Sequence, residues 1–209
     1  MNSKIRAVLD RLETRIQYEH SRDDIPIEER MLAITPDTGS FYNLLLKLIE
    51  AKSVLEIGTS FGYSTLWFAD ALGCEEIESN PRIITIERSH RKVLQATSNF
   101  RDAGVIDFIQ IREGAARVML EDISSLASHQ EYFDFIFIDA DKENAIEYFK
   151  RVIHLVRVGG LIAADNLYQP QDCVEPMARY SEYIRTRTDV QTTSVSVGNG
   201  QELTIRLSK

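Results

Sequence analysis

Two strand-like runs in this chain, FDFIFIDADK and GGLIAADN, are largely apolar and each meets a carboxylate at its end, Asp139 in one and Asp165 in the other. Apolar runs of this kind read as strands buried on both faces, the habit of parallel sheets enclosed by helices. An ionised side chain has no place inside such a strand without a cation or hydrogen-bond donors. At the carboxyl end of the strand it reaches the mouth of the sheet, where α/β folds bind their ligands. If the two strands are neighbours, at the usual spacing of about 4.8 Å, Asp139 and Asp165 can grip one hard cation.

The rest of the chain supplies the sheet. Ile5, Val8, Leu9, Leu12 and Ile16 fall at helical spacing between Ser3 and Glu19, and a polar stretch, HSRDDIPIEER, follows. Pro36 and Asp37 open a second helix whose apolar stripe is Phe41, Leu44, Leu45 and Leu48. Strands and helices then alternate. Strands are predicted over Ser53–Gly58, Arg82–Glu87, Asp107–Ile111 and Phe133–Ile138. The helices between and after them cover Tyr63–Leu72, Ser89–Ala103, Ala115–Leu126 and Lys142–Val156. Gly159 and Gly160 turn the chain into a strand over Leu161–Asp165, and a helix near Glu175–Arg187 follows. TTSVSV and ELTIRL, separated by a turn at Asn199 and Gly200, read as a hairpin. The pattern predicts a doubly wound α/β fold with a terminal antiparallel β-hairpin. With 209 residues and no linker or repeat, one domain over 1–209 is expected, with helices in 1–50 as a lid or dimer region and an α/β core in 51–209.

The formal charge of −8 argues against a broad nucleic-acid face or an anionic membrane surface, although a local basic patch stays open. Cys74 and Cys173 show no CxxC spacing and read as free thiols of a reducing compartment. The N-terminal segment is charged and amphipathic, with no apolar signal core, so a cytoplasmic protein is expected.

The first strand runs into EIGTSFGYST, where Glu56 precedes Gly58 and Gly62, and Ser64 and Thr65 open the next helix. Glycines at such a turn admit a ligand close to the backbone, and the helix N-terminus offers free N–H groups to an anion. The G-x-x-x-G spacing lacks the third glycine of a dinucleotide fingerprint. A smaller ligand with a carboxylate, such as S-adenosylmethionine, fits it better; a purely structural glycine turn explains it equally well. Glu87 ends the second strand, where nucleoside-binding α/β folds hold ribose hydroxyls. Gly114 and Ala115 follow the third strand and are small enough for an adenine to lie against backbone. Asp139, Asp165 and the Asn166 amide form an oxygen donor set suited to Mg²⁺. N-capping by Asp139, Asp141, Asp165 or Asn166 is the competing account. The four His residues are scattered and form no metal cluster.

VLEIGTSFGYSTLWFADAL, IITIERS, REGAA, FDFIFIDADKEN and VRVGGLIAADN together resemble the cation-dependent small-molecule O-methyltransferases, the caffeoyl-CoA and catechol O-methyltransferase group. The likeness extends from about Met31 to Leu207. It implies a seven-stranded methyltransferase fold, S-adenosylmethionine as donor, Mg²⁺ or another divalent cation such as Mn²⁺ or Ca²⁺, and a homodimer. By position it assigns Glu56, Gly58 and Ser64 to the methionine end of the cofactor, Glu87 to the ribose and Ala116 to the adenine. Ile34 and Asp141 are further cofactor contacts. Asp139, Asp165 and Asn166 match the metal ligands, and Lys142 matches the catalytic base, with Asp139 beside it. The loop DNLYQPQD departs from the family's Trp-containing, Gly-ended loop, and Leu32, Ile25–Pro26 and Tyr168 stand by position at the pocket walls.

The expected activity is methyl transfer to a hydroxyl of a small catechol-like substrate. Two alternatives stand beside it. One is methylation of a hydroxylated uridine in tRNA, with Arg179, Arg185 and Arg187 as the basic patch. The other is a catalytically silent nucleoside-binding module.

Overall fold

A computed structural model describes residues 1–209 except 23, 27–28, 74–81, 127–128 and 209. Cys74 lies outside the described residues; Cys173 is a free thiol. Helix α1 (Ser3–His20) begins where the Asn2 side chain accepts from the Lys4 and Ile5 amides. It buries Ile5, Val8, Leu9 and Leu12, the face that the spacing predicts. Helix α2 (Pro36–Leu48) is capped by Thr35, which accepts from the Thr38 amide. Its predicted stripe holds in part, since Phe41 and Leu45 pack partly buried against the core, and is corrected in the rest. Thr38, Gly39, Tyr42 and Leu46 are buried, whereas Leu44 and Leu48 are 69% and 78% exposed. The close approach decides this: a Cβ on Gly39 would lie 2.3 Å from the Trp67 indole nitrogen, so α2 must turn its glycine face to its neighbour.

The alternating elements are β1 (Val54–Ile57), α3 (Tyr63–Leu72), β2 (Ile83–Glu87), α4 (His90–Asp102), β3 (Ile109–Glu113), α5 (Ala116–Ser125), β4 (Phe133–Ile138), α6 (Ala145–Val152), β5 (Val156–Asp165), α7 (Gln171–Arg185), β6 (Val190–Val195) and β7 (Gln201–Arg206). Among the described residues seven strands form one sheet in the order β3-β2-β1-β4-β5-β7-β6. The first five run parallel, and β7 joins β5 antiparallel with β6 at the edge. Alternate residues of β4 face opposite cores. Phe135 and Phe137 join α1, α2, α3 and α4, while Ile136 and Ile138 join α5, α6 and α7. Each such phenylalanine, fully removed from water, contributes up to about 3 kcal/mol.

Local boundaries differ from the expectation in four places. Residues Ile106–Phe108 form a 3-10 turn, which moves β3 two residues on. Lys142–Asn144 is also 3-10, and α6 stops at Val152 because Leu155 accepts from the Phe133 amide in the sheet. Gly159 and Gly160 lie inside β5 instead of preceding it, at an irregularity where the register against β4 jumps. Helix α7 starts at Gln171 and carries Pro176 within it. No described helix is long and apolar enough to cross a membrane.

Candidate active site at the sheet's switch point

Winding runs outward from β1 through β2 to β3, then restarts on the other side with β4 and β5. A crevice forms at the carboxyl ends of the strands where the direction reverses. There Gly58, at φ 110°, lies so close to β4 that a Cβ would sit 2.1 Å from the Asp139 carbonyl oxygen. The Asp139 amide donates to the Ile57 carbonyl at 2.8 Å, closing the joint. The glycine turn and the acid of IDADK are therefore one structure.

On the β1–β3 side, Glu56 is fully buried and accepts from the Ser64, Thr65 and Thr85 hydroxyls, the last at 2.6 Å. Burial pushes its carboxyl up to about 7, and these three donors oppose that shift. Glu56 thus fixes the first turn of α3 from beneath. Glu87 bridges two loops: it accepts from the Ser60 amide at 2.9 Å and the Ser89 amide at 2.8 Å. Gly114 donates to the Glu87 carbonyl at 2.9 Å, which brings the β3 end and Ala115–Ala116 to the same edge. Ile34 is buried in the core shared with Tyr42 and Trp67.

On the β4–β5 side, Lys142 Nζ is 2.6 Å from Asp139 Oδ1, with both side chains largely covered. Asp141 occupies the N-cap position before Lys142 but makes no capping bond; its carboxylate accepts from the Tyr148 hydroxyl at 2.5 Å and from the Asn144 amide. Asp165 ends β5, beside the strand that leads into Asp139, and is only 2% exposed. Burial and then the Asp139 charge raise its carboxyl to about 7, against the opposing pull of Lys142 and Gln201. Asn166, at φ 73°, donates its amide to the Gln169 carbonyl at 2.8 Å, which leaves its side-chain oxygen turned away from that bond. The following loop docks on the β6–β7 turn, with Leu167 and Tyr168 amides donating to the Gly200 and Asn199 carbonyls. A Cβ on Gly200 would meet the Tyr168 ring at 2.4 Å.

Among the described residues no three His, Cys, Asp or Glu side chains converge as a metal-binding group. Asp139, Asp165 and Asn166 are instead two carboxylates and an amide, an oxygen set that fits a hard divalent ion. A buried, poorly solvated carboxylate beside another one is also an environment that favours a cation. Sequence reasoning missed Tyr42 and Gln201. Tyr42 donates to Gln201 Oε1 at 2.6 Å, and Gln201 Nε2 donates to Asp165.

A family model described as O-methyltransferase matches residues 16–206. The chain belongs to this O-methyltransferase family. It is 38% identical over 161 residues to caffeoyl-CoA O-methyltransferase 5 of Nicotiana tabacum, covering 74% of this chain and 64% of that one. It is 40% identical over 136 residues to a catechol O-methyltransferase of Niastella koreensis, covering 65% of this chain and 58% of that one. The match therefore spans less than two thirds of each of these relatives. The O-methyltransferase TomG of Streptomyces achromogenes, solved in complex with SAM, superposes with a TM-score of 0.78 at 27% identity, covering 100% of this chain and 91% of that one.

Proposed function

We propose that this chain transfers a methyl group from S-adenosylmethionine to a hydroxyl of a small catechol-like substrate beside a divalent cation. The observation that carries the reading is Asp165, buried next to Asp139 at the ends of adjacent strands, with Lys142 held on Asp139 and Gly58 closing on the same residue. Family membership and the SAM-bound neighbour support the donor.

In this reading the glycine turn and the first turn of α3, fixed by Glu56, receive the methionine end of the donor. Glu87 has lone pairs left after its two backbone bonds and holds the ribose hydroxyls. Gly114, Ala115 and Ala116 leave room for adenine, and Asp141, anchored by Tyr148, supplies a polar edge. Ile34 supports the N-terminal side. Asp139, Asp165 and Asn166 hold the cation, Mg²⁺ by preference of the donor set, or Mn²⁺ or Ca²⁺. When bound, such an ion stabilises the anionic form of a hydroxyl and orients two vicinal oxygens. Lys142 in its neutral amine form accepts the hydroxyl proton at Nζ and so becomes the ammonium that pairs with Asp139 at 2.6 Å. The remaining contribution of the protein is alignment of the oxygen with the methyl group.

Methyl transfer to a panel of catechols and hydroxylated tRNA, with Mg²⁺ and with EDTA, tests the proposal. Transfer to catechols that EDTA abolishes is expected. Full turnover in chelator removes the cation, and transfer to tRNA alone replaces the substrate class. Against the tRNA reading, Arg179, Arg185 and Arg187 are each committed to carboxylates: Glu143 and Glu175, Glu202, and Asp189. The exposed Leu44 and Leu48 of α2 support a homodimer contact, to be measured by light scattering of the parent and a Leu44→Lys variant.

A further inference from the structure

We propose that Gln201, itself held by Tyr42, is a positioning residue that aims the Asp165 carboxylate at its cation; this rests on the cation reading above. Gln201 stands directly opposite Asp165 in the antiparallel register of β7 on β5. Both side chains are excluded from water, with Gln201 at 0% exposure and Asp165 at 2%. Gln201 Nε2 faces Asp165 Oδ1 and also the Val197 carbonyl at 3.3 Å. A carbonyl only accepts, and so does an ionised carboxylate, so the amide nitrogen must point this way and the amide oxygen the other. That oxygen receives the Tyr42 hydroxyl at 2.6 Å. The order of donors and acceptors is therefore fixed along the whole chain from Tyr42 to Asp165.

Tyr42 cannot drift from its role. Its ring packs on Phe135 and Phe137, with centroids 5.4 and 5.2 Å away, and on Phe68 at 6.3 Å. Its hydroxyl is thereby delivered from α2 through the core to the far side of β5. The consequence for Asp165 is directional: Gln201 takes up a lone pair of Oδ1, and a cation must use the lone pairs that remain on the carboxylate. Partners of this kind fix the orientation of a metal-binding side chain, and their loss typically weakens metal binding by about 10–100-fold. The device also ties the cation side to the N-terminal helices, because the β6–β7 turn that leads into Gln201 abuts α2. A Cβ on Gly198 would lie 2.2 Å from the Thr38 hydroxyl.

Titration of Mn²⁺ alone into the full-length protein tests this, read by loss of the free-ion paramagnetic resonance signal. S-adenosylmethionine affinity by calorimetry and a thermal melt serve as controls. Gln201→Met keeps the size of the side chain and removes the amide; it is expected to weaken Mn²⁺ binding about tenfold while leaving donor affinity within about twofold. Tyr42→Phe keeps the ring and is expected to weaken it about threefold. The double variant should bind no worse than Gln201→Met, because both act through one chain of bonds. A merely structural Gln201 would lower the melt and both affinities together. Unchanged Mn²⁺ affinity in the variants overturns the inference and leaves the cation reading standing, whereas a parent that binds no Mn²⁺ overturns both. If Gln201→Met does not fold, Tyr42→Phe decides alone, and an unchanged affinity there overturns the proposal.

Discussion

The two ends of β4 carry the same residue type and use it in opposite ways. At the start of the strand, Asp134 accepts from the Lys52 and Ser53 amides at 2.8 and 3.1 Å, from the Ser53 hydroxyl at 3.0 Å, and from Arg157 Nε at 2.6 Å. Despite the burial that opposes it, these donors, led by Arg157, hold its carboxyl below the ordinary value. Just past the other end, Asp139 has Lys142 for a partner and shares its surroundings with the buried Asp165. A carboxylate whose bonding capacity is filled by its own chain stabilises the fold. One left with spare lone pairs in a low-dielectric crevice is stabilised only by something added to it. The amino-terminal edge of the sheet is thus a clasp, and the carboxyl-terminal edge a site.

That contrast can be broken by charge removal at each end. Asp165→Asn keeps the shape and a Gln201 contact but removes the charge; kcat/KM for a catechol should fall by ~10³-fold, about 4 kcal/mol, with no loss of melting temperature. A variant that retains activity breaks the assignment of this end. Asp134→Ala should do the reverse, lowering unfolding free energy by about 3 kcal/mol in urea while kcat at a permissive temperature is kept. Loss of kcat in folded Asp134→Ala would mean the two ends are not separable.

Glu56 sharpens the comparison through pH. Its folded value near 7 lies above its ordinary 4.5, so the folded state binds more protons between them. Stability attributable to Glu56 is then greatest below about 4.5 and declines as pH rises toward 7, by up to about 3 kcal/mol. Asp134, held low, has the opposite sign: its contribution is present at neutral pH and is lost on acidification. Glu56→Gln should flatten the decline between pH 5 and 7 in urea titrations; an unaltered slope refutes the shift. The smallest expected effect is at Lys142. Lys142→Met should lower kcat by ~100-fold, about 2.7 kcal/mol, with a KM for donor near that of the parent. A proportional rise in that KM would instead mark Lys142 as a donor contact.

Much of this was legible locally. The runs that became β4 and β5 are apolar enough to dictate strands, and their terminal acids follow in the sequence itself. The glycine turn was equally local, since Gly58 and Gly62 adopt the left-handed conformations that their spacing implies. The facing of α2 was only half legible: Phe41 and Leu45 pack against the core, but Leu44 and Leu48 are exposed, and the fit of Gly39 against Trp67 turns Tyr42 and Leu46 inward. Glu56 was visible as an acid beside a turn, but its three hydroxyl partners come from β2 and α3 and no spacing announces them.

By itself the sequence determined the alternation of strands and helices, the strand-end positions of Asp139 and Asp165, and the place of the glycine turn, because each follows from short-range polarity and backbone freedom. The tertiary structure alone decided that Gly58 closes on Asp139, that Asp134 is held by Arg157, Lys52 and Ser53 while Asp165 lies beside the Asp139 charge, and that Gln201 lies across from Asp165. Those depend on strand order and on the register of a hairpin strand added from the end of the chain, and register is a property of pairing between distant segments.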